Sequence, residues 1–403
     1  MSVPCRACGH PAEEVLDLGL HYLSDFLEPG EPRGEQYPLR LALCGNCTLL
    51  QLLDVVPSQA VLHDRYAFRS GINESIRADL KSIAEYASRY APDGCCGQRT
   101  WIDTGSNDGT LLSNVDPDQW YRVGVDPLKH LAADCMRHAD EVIVDYFSAG
   151  LFGAGSADVI TSSAMFYNLP DPRGFAEDIR EVLAPDGVWV IQQNYTLDML
   201  CNNVVDNIVH EHVTYFSVAS LKRLLEGCGF QVTDVAYSGA KGGCIRTAVH
   251  RKGAYPVLAS VDAALRREQG YRLGDPETWR RWGQRARLEL AETQAELEAA
   301  RDRGWRTYLY GASIRGSTYL RLIGAGPELL PLCADRDGAK IGKIMATTGI
   351  PIISEAEMRA DPPEYLLIGP WFFRDLFVER EKEYLRGGGQ FIFPLPKFEV
   401  VGV

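Results

Sequence analysis

Four cysteines stand where they could share one metal ion. Cys5 and Cys8 form one C-x-x-C, and Cys44 and Cys47 form another, in the turn-forming runs CRACGH and CGNC. Two such knuckles supply four thiolates, the ligand set of tetrahedral Zn²⁺. Four protein ligands leave no position for water, so the site reads as structural, not catalytic. The Cys8–Cys44 loop is longer than the commonest ribbon spacing. His10 reads as a surface residue beside the first knuckle. The other seven of the eleven cysteines read as ordinary thiols.

A second group of chemical residues lies at 103–109. A strand-like TWI runs into Asp103-Thr-Gly105-Ser-Asn107-Asp108-Gly109, and Thr110-Leu-Leu reads as the opening of a helix. Glycines at such a crossing let a ligand approach the backbone closely. The spacing is D-x-G-x-x-x-G, not the G-x-G-x-x-G of a dinucleotide site. An acid at the strand end suits S-adenosylmethionine, which carries a cationic amine and a sulfonium. Asp126 ends the next strand-like run, where an acid can bond ribose hydroxyls. Asp145 ends a third run, where it can meet an adenine amino group. Binding of NAD is the weaker alternative.

The third group is His210-Glu211-His212. It is not H-E-x-x-H, and histidines two apart diverge on a helix, so it reads as acid–base chemistry rather than a metal site. A carboxylate beside a histidine can orient it and raise its basicity. Tyr66, Gln193, Tyr195 and Tyr215 can supply hydrogen bonds to a substrate, although on spacing alone each is more often a packing residue.

The elements that must position these groups are legible in outline. From Thr100 to about Tyr237, short apolar runs (WIDTG, YRVGVD, ADVITSS, VWVIQQN) alternate with helix-like segments such as GFAEDIREVL and SLKRLLEGC. That alternation predicts a doubly wound, mostly parallel sheet. Pro276 opens a long predicted helix over 276–303. Trp279, Trp282, Ala286, Leu290, Thr293, Leu297 and Ala300 form its single apolar stripe, and Gly304 follows its end. Strand-like RTYLYGAS, LLPLCADRD, PEYLLIGP and GGQFIFPL then frame helical Ser317–Ile323 and Phe373–Arg386, a second Rossmann-like unit.

The fold class expected is therefore α/β in three parts, with a helical connection. A zinc-binding module occupies 1–62 and a central Rossmann-like domain 63–255. The helical segment is 256–304, and a C-terminal Rossmann-like domain follows at 305–403. The chain has 403 residues and a formal net charge of −13. An acidic balance argues against gripping nucleic acid phosphates or an anionic membrane. No apolar run approaches the roughly 20 residues of a membrane span. The start lacks a signal-peptide pattern, so the expected location is cytoplasmic.

Taken in order, these motifs resemble the sugar C-methyltransferases of nucleotide-deoxysugar biosynthesis. The likeness rests on the paired C-x-x-C knuckles, RSGINES after Phe68, IDTGSNDGTLL, EHVTYFS, GGCIR, YGASIRGST and the closing IPIISEAEM…GPWFFRDLF…GGQFIFPLP. It implies a class I methyltransferase core and methyl transfer from S-adenosylmethionine to a carbon beside a ketone. The implied substrate is a nucleotide-linked keto-deoxysugar, and the chain would be a monomer or homodimer. His212 then maps to the general base and Glu211 to its partner, with His210, Tyr66 and Tyr195 beside them. Asp103, Gly105, Asn107, Asp108, Gly109, Asp126 and Asp145 map to the methyl donor. Arg69, Asn73, Tyr215 and Gly243 map to the sugar side. Gly311, Ser313, Arg315, Gly316 and Trp371 map to the nucleotide diphosphate. The chain departs from relatives at Phe68 and Val209, where a tyrosine is common, and at Gln192–Tyr195, where some carry an acid. These changes leave room for O- or N-methylation of another metabolite, or for a non-catalytic binding protein.

Overall fold

The structure, a computed structural model, describes residues 2–402 except 62–65, 67 and 93–97. Cys95 and Cys96 therefore lie outside the described residues. The chain packs as two units with interleaved segments. The first comprises Met1–Glu14, Leu41–Asp198 and Glu211–Thr278; the second comprises Val15–Arg40, Met199–His210 and Trp279–Val403. The zinc knuckles and the central sheet, expected as consecutive domains, belong to the same unit.

The first unit is built on seven strands: β1 (Arg99–Thr104), β2 (Trp120–Val125), β3 (Glu141–Ile143), β4 (Ala157–Ser163), β5 (Leu183–Asn194), β6 (Phe230–Ser238) and β7 (Cys244–Arg251). Their order is β6-β7-β5-β4-β1-β2-β3. β5 pairs parallel with β4, and β4 and β2 pair parallel with β1. β7 inserts antiparallel between β5 and β6. The central strands are near-continuous apolar runs because both faces are covered. Trp101, Ile102, Val159, Ile160 and Val188–Ile191 are all fully buried.

Helix α1 (Glu74–Ser88) starts at Asn73, whose side chain accepts from the Ser75 amide, and it buries Ile76, Leu80, Ile83 and Ala87. Helices α2 (Pro172–Val182), α3 (Val218–Gly227) and α4 (Ala259–Gln269) also lie in this unit. Each of the first two has its own cap: Asp171 with proline at the first turn of α2, and a Ser217–Ser220 capping box on α3. The expected helix after Thr110 does not form. Leu112–Asn114 is a single 3-10 turn. The Ser113 and Asn114 side chains both donate to the Thr110 carbonyl, at 2.7 and 2.9 Å, competing with the helical ladder. Pro117 then disfavours helical backbone at Asp116.

Helix α5 (Pro276–Asp302) matches the expected stripe: Trp279, Trp282, Ala286, Leu290, Thr293, Leu297 and Ala300 are buried. The second unit carries β8 (Thr307–Tyr310), β9 (Cys333–Asp335), β10 (Ile352–Ser354), β11 (Tyr365–Ile368), β12 (Gln390–Phe393) and β13 (Glu399–Val401). Their order, β10-β9-β8-β11-β12-β13, is parallel except for β13. This is the Rossmann order, in keeping with the Rossmann-like unit expected here. Helix α6 (Gly316–Leu322) follows the β8 loop. The single helix expected over Phe373–Arg386 is two, Arg374–Arg380 and Lys382–Arg386.

Candidate active site and zinc centre

The four cysteine sulfurs lie within 4.8 Å of one another. Cys5 and Cys47 are 3.4 Å apart, and Cys8 and Cys44 are 3.6 Å apart. Those separations are close to the edge of a tetrahedron with Zn–S bonds of about 2.3 Å. Cys5, Cys44 and Cys47 are buried, and the set holds a structural zinc. His10 is exposed beside it.

The zinc module also reaches the chain just past His210-Glu211-His212. Strand Leu50–Leu52, just past the second knuckle, pairs antiparallel with Thr214–Tyr215, with Thr214 opposite Gln51. The Leu52 amide donates to the Val213 carbonyl at 2.9 Å. The Gln51 carboxamide donates to the Pro4 carbonyl at 3.1 Å and accepts from the Arg6 amide at 2.9 Å, so it ties this pairing to the first knuckle.

Glu211 and His212 are both buried. Burial pushes the Glu211 carboxyl up to about 8. The His212 ring meets the edge of Tyr167, with centroids 4.5 Å apart. Thr214 fixes Tyr167 by donating to its carbonyl at 3.2 Å. Tyr66 belongs to the same group. Burial raises its phenol well above the usual range, and Glu211, Tyr167 and Asp126 raise it further. Its hydroxyl therefore stays protonated as a donor. His210 is set apart: the boundary between the two units falls between His210 and Glu211. Its ring donates to the Pro38 carbonyl at 3.2 Å.

In the donor loop, Asp103 is buried and accepts from Thr161 Oγ1 at 2.6 Å. Burial pushes its carboxyl up to about 7, against the lowering effect of that bond. Asp126 accepts from the Asn107 and Leu128 amides, each at 2.9 Å, and burial also raises it. Gly105 and Gly109 have left-handed φ values of 68° and 77°. A Cβ on Gly109 would sit 2.9 Å from the Cys135 Cα, so only glycine fits there. Asn107 accepts from the Ser70 amide, and Asp108 from the Gly71 amide at 2.7 Å. The RSGINES segment is thus fastened to the donor loop, a contact no spacing signals. Asp145 is exposed two residues beyond β3 and accepts from the Tyr146 amide.

Several of the residues expected at the site have protein partners in the structure. The Tyr195 hydroxyl is buried and donates to Glu268 at 2.9 Å, and Glu268 also caps α3 through the Val218 and Ala219 amides. Arg69 pairs with Asp134 at 2.6 Å, and Asn73 caps α1. Tyr215 is a buried strand residue. The Gly243 carbonyl accepts from the Tyr195 amide. In the second unit, Arg315 pairs at 3.1 Å with Asp206, which is fully buried. Asp206 also accepts from Trp371 Nε1 at 3.0 Å. Both groups expected on a diphosphate are therefore engaged. Gly311 has φ 92°, and Ser313 Oγ accepts from the Gly316 amide at 2.9 Å.

The sheet order and the glycine loop after β1 are those of a class I S-adenosylmethionine-dependent methyltransferase. Three family models match the chain in order. They are a zinc binding domain at residues 5–61, a methyltransferase domain at 66–235 and a C-methyltransferase C-terminal domain at 239–396. C-methyltransferase NovU of Streptomyces niveus is 28% identical over 410 residues, covering 98% of this chain and 96% of that protein. Solved methyltransferases align over part of the chain. One from Aquifex aeolicus is 17% identical over 44% of this chain and 93% of that one, with a TM-score of 0.34. One from Leishmania major is 16% identical over 44% and 73%, with a TM-score of 0.36. Among the described residues, no helix is long and apolar enough to cross a membrane.

Proposed function

We propose that this methyltransferase alkylates carbon, and that its acceptor is a nucleotide-linked keto-deoxysugar in the cytoplasm. The observation that carries the reading is the buried Glu211–His212 pair, with the His212 ring packed 4.5 Å from that of Tyr167 and the following residues held in the strand pairing with Leu50–Leu52.

When bound, S-adenosylmethionine supplies an electrophilic methyl group on a sulfonium. The acids of the 103–109 loop and Asp126 favour its positive charges. A carbon beside a ketone is a weak acid and needs a base at the C–H and donors at the oxygen. His212 takes the proton, held by the Tyr167 edge and the strand that the zinc module supports. Glu211 orients His212 when ionised. Tyr66 donates a hydrogen bond to the enolate oxygen. The enolate carbon then bonds the methyl group as the C–S bond breaks, and the proton leaves from His212. The engaged Arg315 and Trp371 are given no phosphate contact in this reading.

The test is incubation with S-adenosylmethionine and a panel of 4-ketohexose nucleotides in deuterated water. Carbon methylation with exchange of the adjacent C–H is the expected result. Methylation of oxygen or nitrogen without exchange would overturn the carbon-acid reading.

A further inference from the structure

Gln193 is the penultimate residue of strand β5. It is 1% exposed, yet neither Nε2 nor Oε1 has a hydrogen-bond partner among the described residues. Leaving a buried carboxamide unpaired is costly, so such a group calls for an explanation. Its neighbour shows the contrast. Gln192, on the opposite face of β5, donates to Asp79 and accepts from Arg246 Nε at 2.7 Å.

The location is a ligand edge. Open α/β sheets bind ligands beyond the carboxyl ends of their strands. Trp189, on the same face of β5 as Gln193, donates to Ser162 at 2.9 Å and packs against Phe166. The next residue, Tyr167, carries the ring edge that holds His212. Two further buried atoms without partners among the described residues flank this edge, Asn168 Oδ1 and Thr196 Oγ1. The Thr196 amide bonds the Phe216 carbonyl at 3.2 Å, and the Phe216 ring stacks on Phe166. These orphan atoms thus gather on the segments that frame the catalytic histidine.

We propose that Gln193 is a catalytic residue whose Nε2 hydrogen-bonds the ketone oxygen of the acceptor and, after His212 removes the adjacent proton, the enolate oxygen. Its ligand class is a carbonyl compound with an acidic α C–H. The role rests on the carbon-methylation reading.

The test compares wild type with Gln193→Leu and Gln193→Glu on the zinc-loaded full chain. Leucine matches the burial without the amide, so Gln193→Leu keeps its melting temperature and its S-adenosylmethionine affinity. Its methylation rate and its α-proton exchange, measured by NMR with S-adenosylhomocysteine in deuterated water, fall by about 10²–10³-fold. Gln193→Glu recovers part of the rate as pH falls, because only the protonated acid donates. Full activity in Gln193→Leu overturns the role and leaves the amide as a site for buried water. A wild type that methylates without exchanging any C–H overturns the reading beneath it as well, so the two failures are distinct.

Discussion

The two units carry the same loop device and use it differently. After β1, Asp126 accepts from the Asn107 amide of the glycine loop and from Leu128, two residues on from itself. After β8, Asp335 accepts from the Ala312 amide at 2.7 Å and from Asp337, again two residues on. The backbones are tied alike, but the side chains are not. Around the first loop, Asp103 and Asp108 have hydroxyl and amide partners, and burial holds Asp103 near neutrality. Around the second, Lys340 lies 3.6 Å from Asp335 and 3.9 Å from Asp337, and Arg315 is matched by Asp206. The acids of the first loop have no ion-pair partner among the described residues, whereas those of the second already have cations beside them. A glycine loop therefore marks the turn that follows a strand; the charge left unmatched around it is what distinguishes a ligand site.

That contrast makes the first unit dependent on groups it does not contain. Its largest expected failure is loss of zinc. Chelation should remove stabilisation of about 10 kcal/mol and release the strand Thr214–Tyr215 with its catalytic neighbours. Calorimetry and amide exchange over 211–217, alongside zinc content, check this. Unchanged exchange in zinc-free protein would detach the zinc from the active site. Next in size is Arg315→Ala, which leaves Asp206 buried without its countercharge and should cost about 3–5 kcal/mol. Binding of S-adenosylmethionine should be unchanged. If stability holds while KM for the nucleotide sugar rises, Arg315 is a phosphate ligand and the contrast between the loops fails.

Gly109→Ala and Gly311→Ala sharpen the same comparison. Each forces a left-handed φ on alanine and drives Cβ into a neighbour, the Cys135 Cα at 2.9 Å or the Pro370 Cδ at 2.6 Å. Both should lose roughly 2–3 kcal/mol of stability by denaturant unfolding. Only Gly109→Ala should also lose S-adenosylmethionine affinity.

Much of this was legible in the sequence, and the limits have physical causes. Strand alternation, the paired knuckles and the α5 stripe are short-range patterns, and each formed as expected. The Thr110 helix failed because Ser113 and Asn114 bond backward and Pro117 follows, a local competition that apolar periodicity does not register. Arg315 and Trp371 have the right chemistry for a diphosphate, but their partner Asp206 is more than 100 residues away in the chain. Gln193 was indistinguishable from packing because its want of a partner exists only in three dimensions. The fastening of Ser70 and Gly71 to the donor loop has the same origin.

A smaller effect follows from Asp103. Its carboxyl titrates at about 7 when buried, and a bound cation favours the ionised form. Affinity for S-adenosylmethionine should therefore rise from pH 6 to pH 8, by at most about tenfold. Stability runs the other way: because the folded group is raised, its contribution is present below the usual carboxylate range and lost as pH rises through about 7. Calorimetric titration should show proton release on binding, and Asp103→Asn should abolish it.

The smallest expected effect separates structure from chemistry at Tyr195. Its hydroxyl resembles Arg315 in being matched already, since Glu268 accepts its hydrogen bond and in turn caps α3. Tyr195→Phe removes one hydrogen bond while the two amides still satisfy Glu268. The loss should be about 1 kcal/mol in stability, with kcat and the pH profile unchanged. A fall in kcat of a hundredfold with the melting temperature intact would show that a hydroxyl with a buried protein partner still turns to the substrate. The rule that separates the two loops would then not extend to side chains beside the catalytic segment.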